Sequence, residues 1–345
     1  APKLTHFRVV DLTWVGTEGW ALGGADCLSG KGTCDAIEHT TDGGRTWRSM
    51  PAPRANISPT SGGGCRAPCI GGLRFATSKI GYAFNGFQVG TPAFYLTTDG
   101  GRSWRREAGG AVALETANGN VIRVTSDGSG CPGPCRIGIE TAPVGSMSWT
   151  RRALGTPPAT YGLEFARTGA RSYLLFEGHV AGGAGSATST LYRSSDNGVT
   201  WRRGGEPCPQ ARVEVDSVAL SSAPDGGLAL LCRDRGAPNE QFVITSTDGG
   251  ASFRAGSRTA LGAGYVSTLG AATAQVLVVS SDQAYRSTDG GNHFARLGSN
   301  AGSSPGQLAW LGFASPSVGH GISADRRSVW TTADGGRSWS RYTFG

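Results

Sequence analysis

Thr40-Thr41-Asp42-Gly43-Gly44-Arg45-Thr46-Trp47 decides the fold, because the chain repeats it. The same order of hydroxyl, acid, turn residues and aromatic returns from Thr97 to Trp104, Ser194 to Trp201, Ser246 to Phe253, Ser287 to Phe294 and Thr332 to Trp339. A worn copy lacking the acid ends at Trp149. The closing aromatics Trp47, Trp104, Trp149, Trp201, Phe253, Phe294 and Trp339 stand 41 to 57 residues apart. They divide the chain into seven units of about 49 residues, with no linker left over.

Each unit carries the same internal order. An apolar stretch such as Val9 to Trp14 comes first, then a Gly-bounded one such as Gly81-Tyr82-Ala83-Phe84. An alternating third stretch, such as Phe94-Tyr95-Leu96-Thr97, runs into the motif, and an aromatic-ended fourth closes the unit. Four short strands at this period are the pattern of a propeller blade. A closed set of blades also protects strand edges that an open sheet of this size would expose. The expectation is an all-β chain, one seven-bladed β-propeller of four-stranded antiparallel blades. Its blades fall roughly at 1–52, 53–108, 109–154, 155–205, 206–257, 258–299 and 300–345. Asp42, Asp99, Asp196, Asp248, Asp289 and Asp334 are expected to accept backbone N–H bonds inside the turn between the third and fourth strands. The neighbouring glycines supply backbone angles closed to other residues. These six carboxylates are therefore structural, and neither catalytic nor calcium-binding.

The signature S/T-x-D-x-G-x-T/S-W/F resembles the Asp-box, or BNR, repeat of the sialidase-like superfamily over essentially the whole chain. With Gly-Tyr/Trp-Ala ahead of the motif, the unit is most similar to photosystem II assembly-factor-like propellers with seven blades. The resemblance implies a propeller with Asp-box turns and admits several functions, from sialidases and xyloglucanases to sorting receptors, lectins and assembly factors. A sialidase does not fit. The first blade reads Phe7-Arg8-Val9-Val10 where that family has an Arg-Ile-Pro-like segment, and it usually has six blades.

Composition agrees with a β protein. Fifty-six glycines make about 16 % of 345 residues, roughly twice the usual share, yet 38 % hydrophobic residues and nine tryptophans supply a core. No apolar run approaches the roughly 20 residues of a membrane helix, so no membrane span is expected. The net charge is +7, and Lys3, Lys31 and Lys79 are the only lysines. The arginines are scattered, often beside repeat tryptophans (Arg48, Arg105, Arg106, Arg202, Arg203), as on solvated outer strands. No basic block interleaved with aromatics marks nucleic-acid binding. The five histidines (His6, His39, His179, His293, His320) are dispersed, and no phosphate-binding or H-E-x-x-H zinc motif occurs. No cofactor and no metal is expected. The Gly, Ala and Arg content suggests a GC-rich bacterial source.

Eight cysteines lie in close pairs: Cys27 with Cys34, Cys65 with Cys69, Cys131 with Cys135, Cys208 with Cys232. Eight cysteines permit 105 pairings, of which neighbour pairing is the simplest. An even count in local pairs points to disulfides and an oxidising compartment, hence a secreted, periplasmic or cell-surface protein. That the chain opens at Ala1 without a hydrophobic leader adds the expectation of signal cleavage. A monomer is expected. The N-terminal residues 1–6 either lie free of ring closure or add an edge to blade 7.

In a meander, the motif turns share one end of each blade with the turns between the first and second strands. The second-to-third loops occupy the other end, and the long segments gather there: Gly23 to Asp35, Ala55 to Gly72, Ser126 to Arg136, Gly178 to Thr190 and Arg233 to Gln241. All four cysteine pairs fall there too. Loops on a rigid scaffold commonly bind ligands. The expected ligand positions are Arg233, Arg235, Glu240, Tyr161 and Asp216, with Glu177, His179 and Asp234 as candidates for catalysis. Asp325, Arg326 and Arg327 occupy the blade 7 loop. The innermost strands add Asp11, Glu115, Glu164 and Glu214, with Tyr265 near a strand start. The leading functional expectation is a binding or assembly propeller for a glycan or extracellular protein. The alternative is a glycan-active enzyme, a glycoside hydrolase working with paired carboxylates or a polysaccharide lyase using Tyr or His beside Arg.

Overall fold

The computed structural model describes residues 5–27, 33–57, 65, 68–86, 93–126, 137–154, 162–179, 187–204, 207–208, 215–234, 240–257, 259–260, 268–298 and 304–345. Among them there is no helix, and the fold is a seven-bladed β-propeller of antiparallel four-stranded blades. Blade 1 comprises Arg8–Val15, Glu18–Asp26, Thr33–Thr40 and Arg48–Met50; blade 2 comprises Gly72–Phe75, Gly81–Phe84, Phe94–Thr97 and Arg105–Glu107. Blade 3 is Ala113–Ala117, Asn120–Ser126, Ile137–Pro143 and Thr150–Arg152, and blade 4 is Gly162–Thr168, Arg171–His179, Ala187–Ser194 and Arg202–Arg203. Blade 5 has Val215–Ser222, Leu228–Asp234, Glu240–Ser246 and Arg254–Ala255, with Thr259–Ala260 added to its third strand. Blade 6 is Thr268–Ala271, Leu277–Ser280, Ala284–Ser287 and Ala295–Arg296, and blade 7 is Leu308–Phe313, Gly319–Ser323, Ser328–Thr332 and Ser340–Thr343. Strand order follows chain order in every blade, as the repeat requires.

The motif turns are built as the sequence implies. In blade 1, Asp42 Oδ1 accepts the Thr40 hydroxyl at 2.8 Å and the amides of Arg45 and Thr46 at 2.9 Å, while Oδ2 accepts the Thr46 hydroxyl at 2.6 Å. Asp99, Asp196, Asp248 and Asp334 hold the same kinds of bond. Blade 6 has no second hydroxyl; there His293 Nδ1 meets Asp289 Oδ2 at 2.6 Å. Gly43 and Gly44 take φ of 74° and 88°, and in blade 4 Asn197 stands in the first of these positions at 59°, a conformation Asn tolerates. The worn blade 3 turn keeps its aromatic: Trp149 lies under the Arg123 guanidinium, 4.1 Å from the ring centroid.

These turns carry a pH signature. Hydrogen bonds from Ser103 hold the Asp99 carboxyl at about 2. Asp196 and Asp334 also sit at about 2, because their hydroxyl and amide donors outweigh partial burial. An unfolded Asp titrates near 3.9. The stability these turns contribute is therefore complete above about pH 4 and is lost as pH falls toward about 2. We expect the urea midpoint to drop through that window, and to drop less steeply in Asp99→Asn and Asp334→Asn. A profile in the variants as steep as in the parent would take these two turns out of acid denaturation.

The strands gather into two compact groups, residues 1–157 with 326–328 and 342–345, and residues 158–325 with 329–341. In the first, Trp20, Leu22 and Ile37 of blade 1 pack on Leu73, Phe75 and Ala83 of blade 2. Tyr82, Phe94 and Leu96 of blade 2 pack in turn on Leu114, Val121 and Ala142 of blade 3. Phe344 stacks edge-on against Phe7 at 4.9 Å and Trp47 at 5.4 Å, bringing the last residues of the chain beside blade 1. Thr5 O accepts the Asp26 amide at 3.0 Å, so the described part of the N-terminal segment edges blade 1. In the second group, Tyr173, Leu175 and Leu191 pack on Leu228, Leu230 and Ile244, and Ala219, Leu231 and Val243 on Leu269, Leu277 and Val279. Val278 then meets Leu308, Leu311, Trp330 and Trp339. The core thus lies between blades, which is why the second strands read as unbroken apolar runs such as Leu228 to Leu231.

Candidate functional site

Backbone bonds fix the two ends of each blade. The motif turn bonds to the first-to-second turn through Gly43 N–H to Thr17 O, Gly100 N–H to Lys79 O, Asn197 N–H to Ala170 O, Gly290 N–H to Gln275 O and Gly335 N–H to Ser317 O. Second-to-third loops therefore leave from the opposite end, as the meander argument requires. Cys27–Cys34 spans the loop between the second and third strands of blade 1. Cys65–Cys69 braces the connection into blade 2, and Cys208–Cys232 ties the approach to blade 5 to the end of its second strand. Cys208 and Cys232 are both buried. Cys131 and Cys135 lie outside the described residues.

The sequence-derived positions fall at that end of blades 4 and 5. Glu177 pairs in register with Gly162 and Ser189, and His179 with Ala187 at the close of the same strand. Arg233 stands between Asp216 and Gln241, and Asp234 between Val215 and Glu240. The side chains of Glu177, His179, Asp216, Arg233, Asp234 and Glu240 lie outside the described part of the molecule. Arg235, Tyr161, Glu214 and Tyr265 lie outside the described residues altogether. The backbone thus brings Asp216, Arg233, Asp234 and Glu240 to one strand end without fixing their contacts. Of the blade 7 loop, Asp325 accepts the Ser323 hydroxyl at 2.6 Å, while Arg326 Nη1 lies 3.3 Å from the carbonyl oxygens of Val9 and Val10.

A second constellation joins first strands of blades 1, 2 and 3. Arg74 Nη1 bonds Asp11 Oδ2 at 2.7 Å, and its Nε bonds Glu115 Oε1 at 2.8 Å. Asp11 also accepts the amides of Leu12 at 2.9 Å and Leu73 at 2.7 Å. Burial disfavours the Arg74 charge, but the two carboxylates more than compensate and raise its pKa. Asp11 and Glu115 thus share one guanidinium, and the trio stitches three blades together. Sequence reasoning found both acids but missed their cation. The sequence marks the positions but not the pairing: a charged residue stands beside apolar ones in each first strand, as in Val10-Asp11-Leu12, Leu73-Arg74-Phe75 and Leu114-Glu115.

Asp35, at the loop end of blade 1, was also missed. Burial raises its carboxyl to about 6, and its Oδ2 is buried without a hydrogen-bond partner. A raised carboxyl pKa means that ionisation costs stability as pH climbs from about 4 through about 6. Asp35→Asn is expected to stabilise the protein by about 1–2 kcal/mol at pH 7.5, less than the full shift implies because water reaches the site. The gain should vanish below pH 4; equal gains at pH 4 and pH 7.5 would assign it to something other than charge.

Among the described residues no group of three or more His, Cys, Asp or Glu is placed to hold a metal ion. The chain matches no model of a known protein family, and no curated protein matches it. Solved structures do. YCF48 bound to a D1 peptide is similar at 16 % identity and a TM-score of 0.58, over 100 % of this chain and 96 % of that one. YCF48 from Cyanidioschyzon merolae gives 15 % and 0.58, over 99 % and 97 %. An ulvan lyase bound to -[GlcA(1-4)Rha3S]- gives 10 % and 0.60, over 100 % and 96 %. At these identities the likeness establishes one thing, that the chain folds as these seven-bladed β-propellers do.

Proposed function

We propose that this chain is an exported, monomeric binding or assembly propeller that holds a glycan or protein partner on the loop-bearing ends of its blades. The observation that carries this reading is the Cys208–Cys232 bridge. It pins the strand end next to Arg233, where Asp216, Asp234 and Glu240 also stand in register. Bracing a charged loop lowers the entropy lost when it closes on a partner. The motif turns at the other end have their carboxylates occupied by their own hydroxyls and amides. Propellers of this fold hold both kinds of partner: one of those above has a peptide bound and another a glycan.

The second reading is a glycan-active enzyme, a glycoside hydrolase or polysaccharide lyase with Glu177, His179 or Asp234 as the proton-transferring groups. Its support is the register that ends the second strand of blade 4 on Glu177 and His179, on the blade next to Asp216 and Arg233. A panel of neutral, uronate and sulfated polysaccharides and of peptides separates the two. Binding without release of reducing or unsaturated ends, weakened at least about tenfold in Arg233→Ala/Arg235→Ala, is the expected result. Product release that disappears in Glu177→Gln or His179→Ala would replace the binding reading by the enzymatic one.

A further inference from the structure

Tyr173, Arg193 and Arg202 stand directly opposite one another on the second, third and fourth strands of blade 4. Arg171, two residues before Tyr173 on the same strand, shares their face of the sheet. With Asp248 and Gly249 of the blade 5 turn they line a cleft of about 270 Å³. Like charges directly opposite in a sheet repel. The corresponding rows Trp20–His39–Arg48, Tyr82–Leu96–Arg105 and Ala229–Thr245–Arg254 carry one arginine each.

The polar atoms of this row are also left wanting. In the same position of blade 1 the Trp20 indole N–H donates to Gly100 O at 3.3 Å, and in blade 2 the Tyr82 hydroxyl accepts the Gly145 amide at 2.7 Å. Tyr173 is 1 % exposed, and its hydroxyl has no hydrogen-bond partner of proper geometry. Arg193 Nε is likewise buried and unpartnered, and its Nη1 reaches Gly249 O only at 3.4 Å. Asp248 does not neutralise the arginines through hydrogen bonds, because Ser246, Ala251 and Ser252 occupy its oxygens. The lining thus carries three guanidiniums and one carboxylate, a net charge of +2.

We propose that this cleft binds a small oxyanion of the sulfate–phosphate class, free or carried as an ester on a sugar. Arg193 Nε and the Tyr173 hydroxyl donate to its oxygens from within, and the exposed Arg171 and Arg202 draw it in from solvent. A guanidinium fork matches such oxygens geometrically as well as in charge. The cleft is smaller than those that take drug-sized ligands, so the bound group is small. It lies at the turn end of the blades, away from the loops of the reading above, and stands or falls independently of it.

Calorimetric titration at constant ionic strength tests it, with sodium sulfate, sodium phosphate, glucose 6-sulfate, glucose 6-phosphate and acetate. Saturable binding of the sulfate and phosphate probes, with none for acetate, is the expected result. Arg193→Gln should weaken it at least about tenfold, and Arg202→Gln and Tyr173→Phe several-fold. Arg202 is exposed, so Arg202→Gln keeps the test meaningful even if Arg193→Gln fails to fold. Tighter binding of the sugar esters assigns the ester as the natural form, and tighter binding of the inorganic ions assigns the free ion. Absence of saturable binding, acetate binding as tight as sulfate, or undiminished affinity in both Arg202→Gln and Tyr173→Phe would overturn the proposal.

Discussion

Arg74→Ala is expected to lower global stability by about 3–5 kcal/mol, because it strips Asp11 and Glu115 of the cation they share. The Arg74 side chain keeps 21 % exposure, which places the expectation in the lower half of that range. The sign of a second variant decides the mechanism. In Asp11→Asn/Arg74→Met/Glu115→Gln the three charges go together, while the asparagine keeps one acceptor oxygen for two amides and Arg326 loses the carboxylate that favours its charge. This triple variant should recover part of the loss, since a buried ion pair replaced as a unit is close to neutral but one amide and Arg326 lose a partner. Urea unfolding followed by tryptophan fluorescence and by circular dichroism measures both. If Arg74→Ala unfolds within about 0.5 kcal/mol of the parent, surface-like screening governs the trio and its role as a stitch between blades is lost.

Trp20→Ala should cost about 3–5 kcal/mol for a different reason. Trp20 is fully buried, stacks on Phe75 at 3.8 Å with the rings 4° from parallel, and donates to Gly100 O in the blade 2 turn. Alanine removes apolar area from water exclusion and leaves a cavity between two strands too well paired to close over it. Trp20→Phe keeps a stacking ring and gives up the N–H, so a loss of about 1–2 kcal/mol is expected. If Phe proves as damaging as Ala, the bond to Gly100 outweighs the stacking, and the packing account of this contact fails.

How far each feature could be read from the sequence depended on its range along the chain. The motif turns were legible because their bonds close within four residues, as between Asp42 and Thr46, so the residues that bond also sit together in the sequence. The second strands were legible because burial on both faces leaves an unbroken apolar run, as at Leu228 to Leu231. His293 shows the limit of this local code: it does the work of a hydroxyl in the blade 6 turn, which its residue type did not announce. Arg74 was hidden because its carboxylates lie 63 and 41 residues away. Nothing local tells a solvated arginine from one clasped by two acids.

The repeat alone determined that this chain is all-β, how many blades it has, where their turns fall and which end of each blade carries the long loops. Those features follow from short-range hydrogen bonding and from the two-residue period of strands, which a linear string records. Only the tertiary structure decided that Asp11 and Glu115 belong to Arg74, that burial keeps Asp35 hard to ionise, and that the Tyr173–Arg193–Arg202 row faces a neighbouring turn which satisfies neither the buried hydroxyl nor Arg193 Nε. Charge and burial act through space, and only the packing of one blade on the next sets which groups are close enough to feel them.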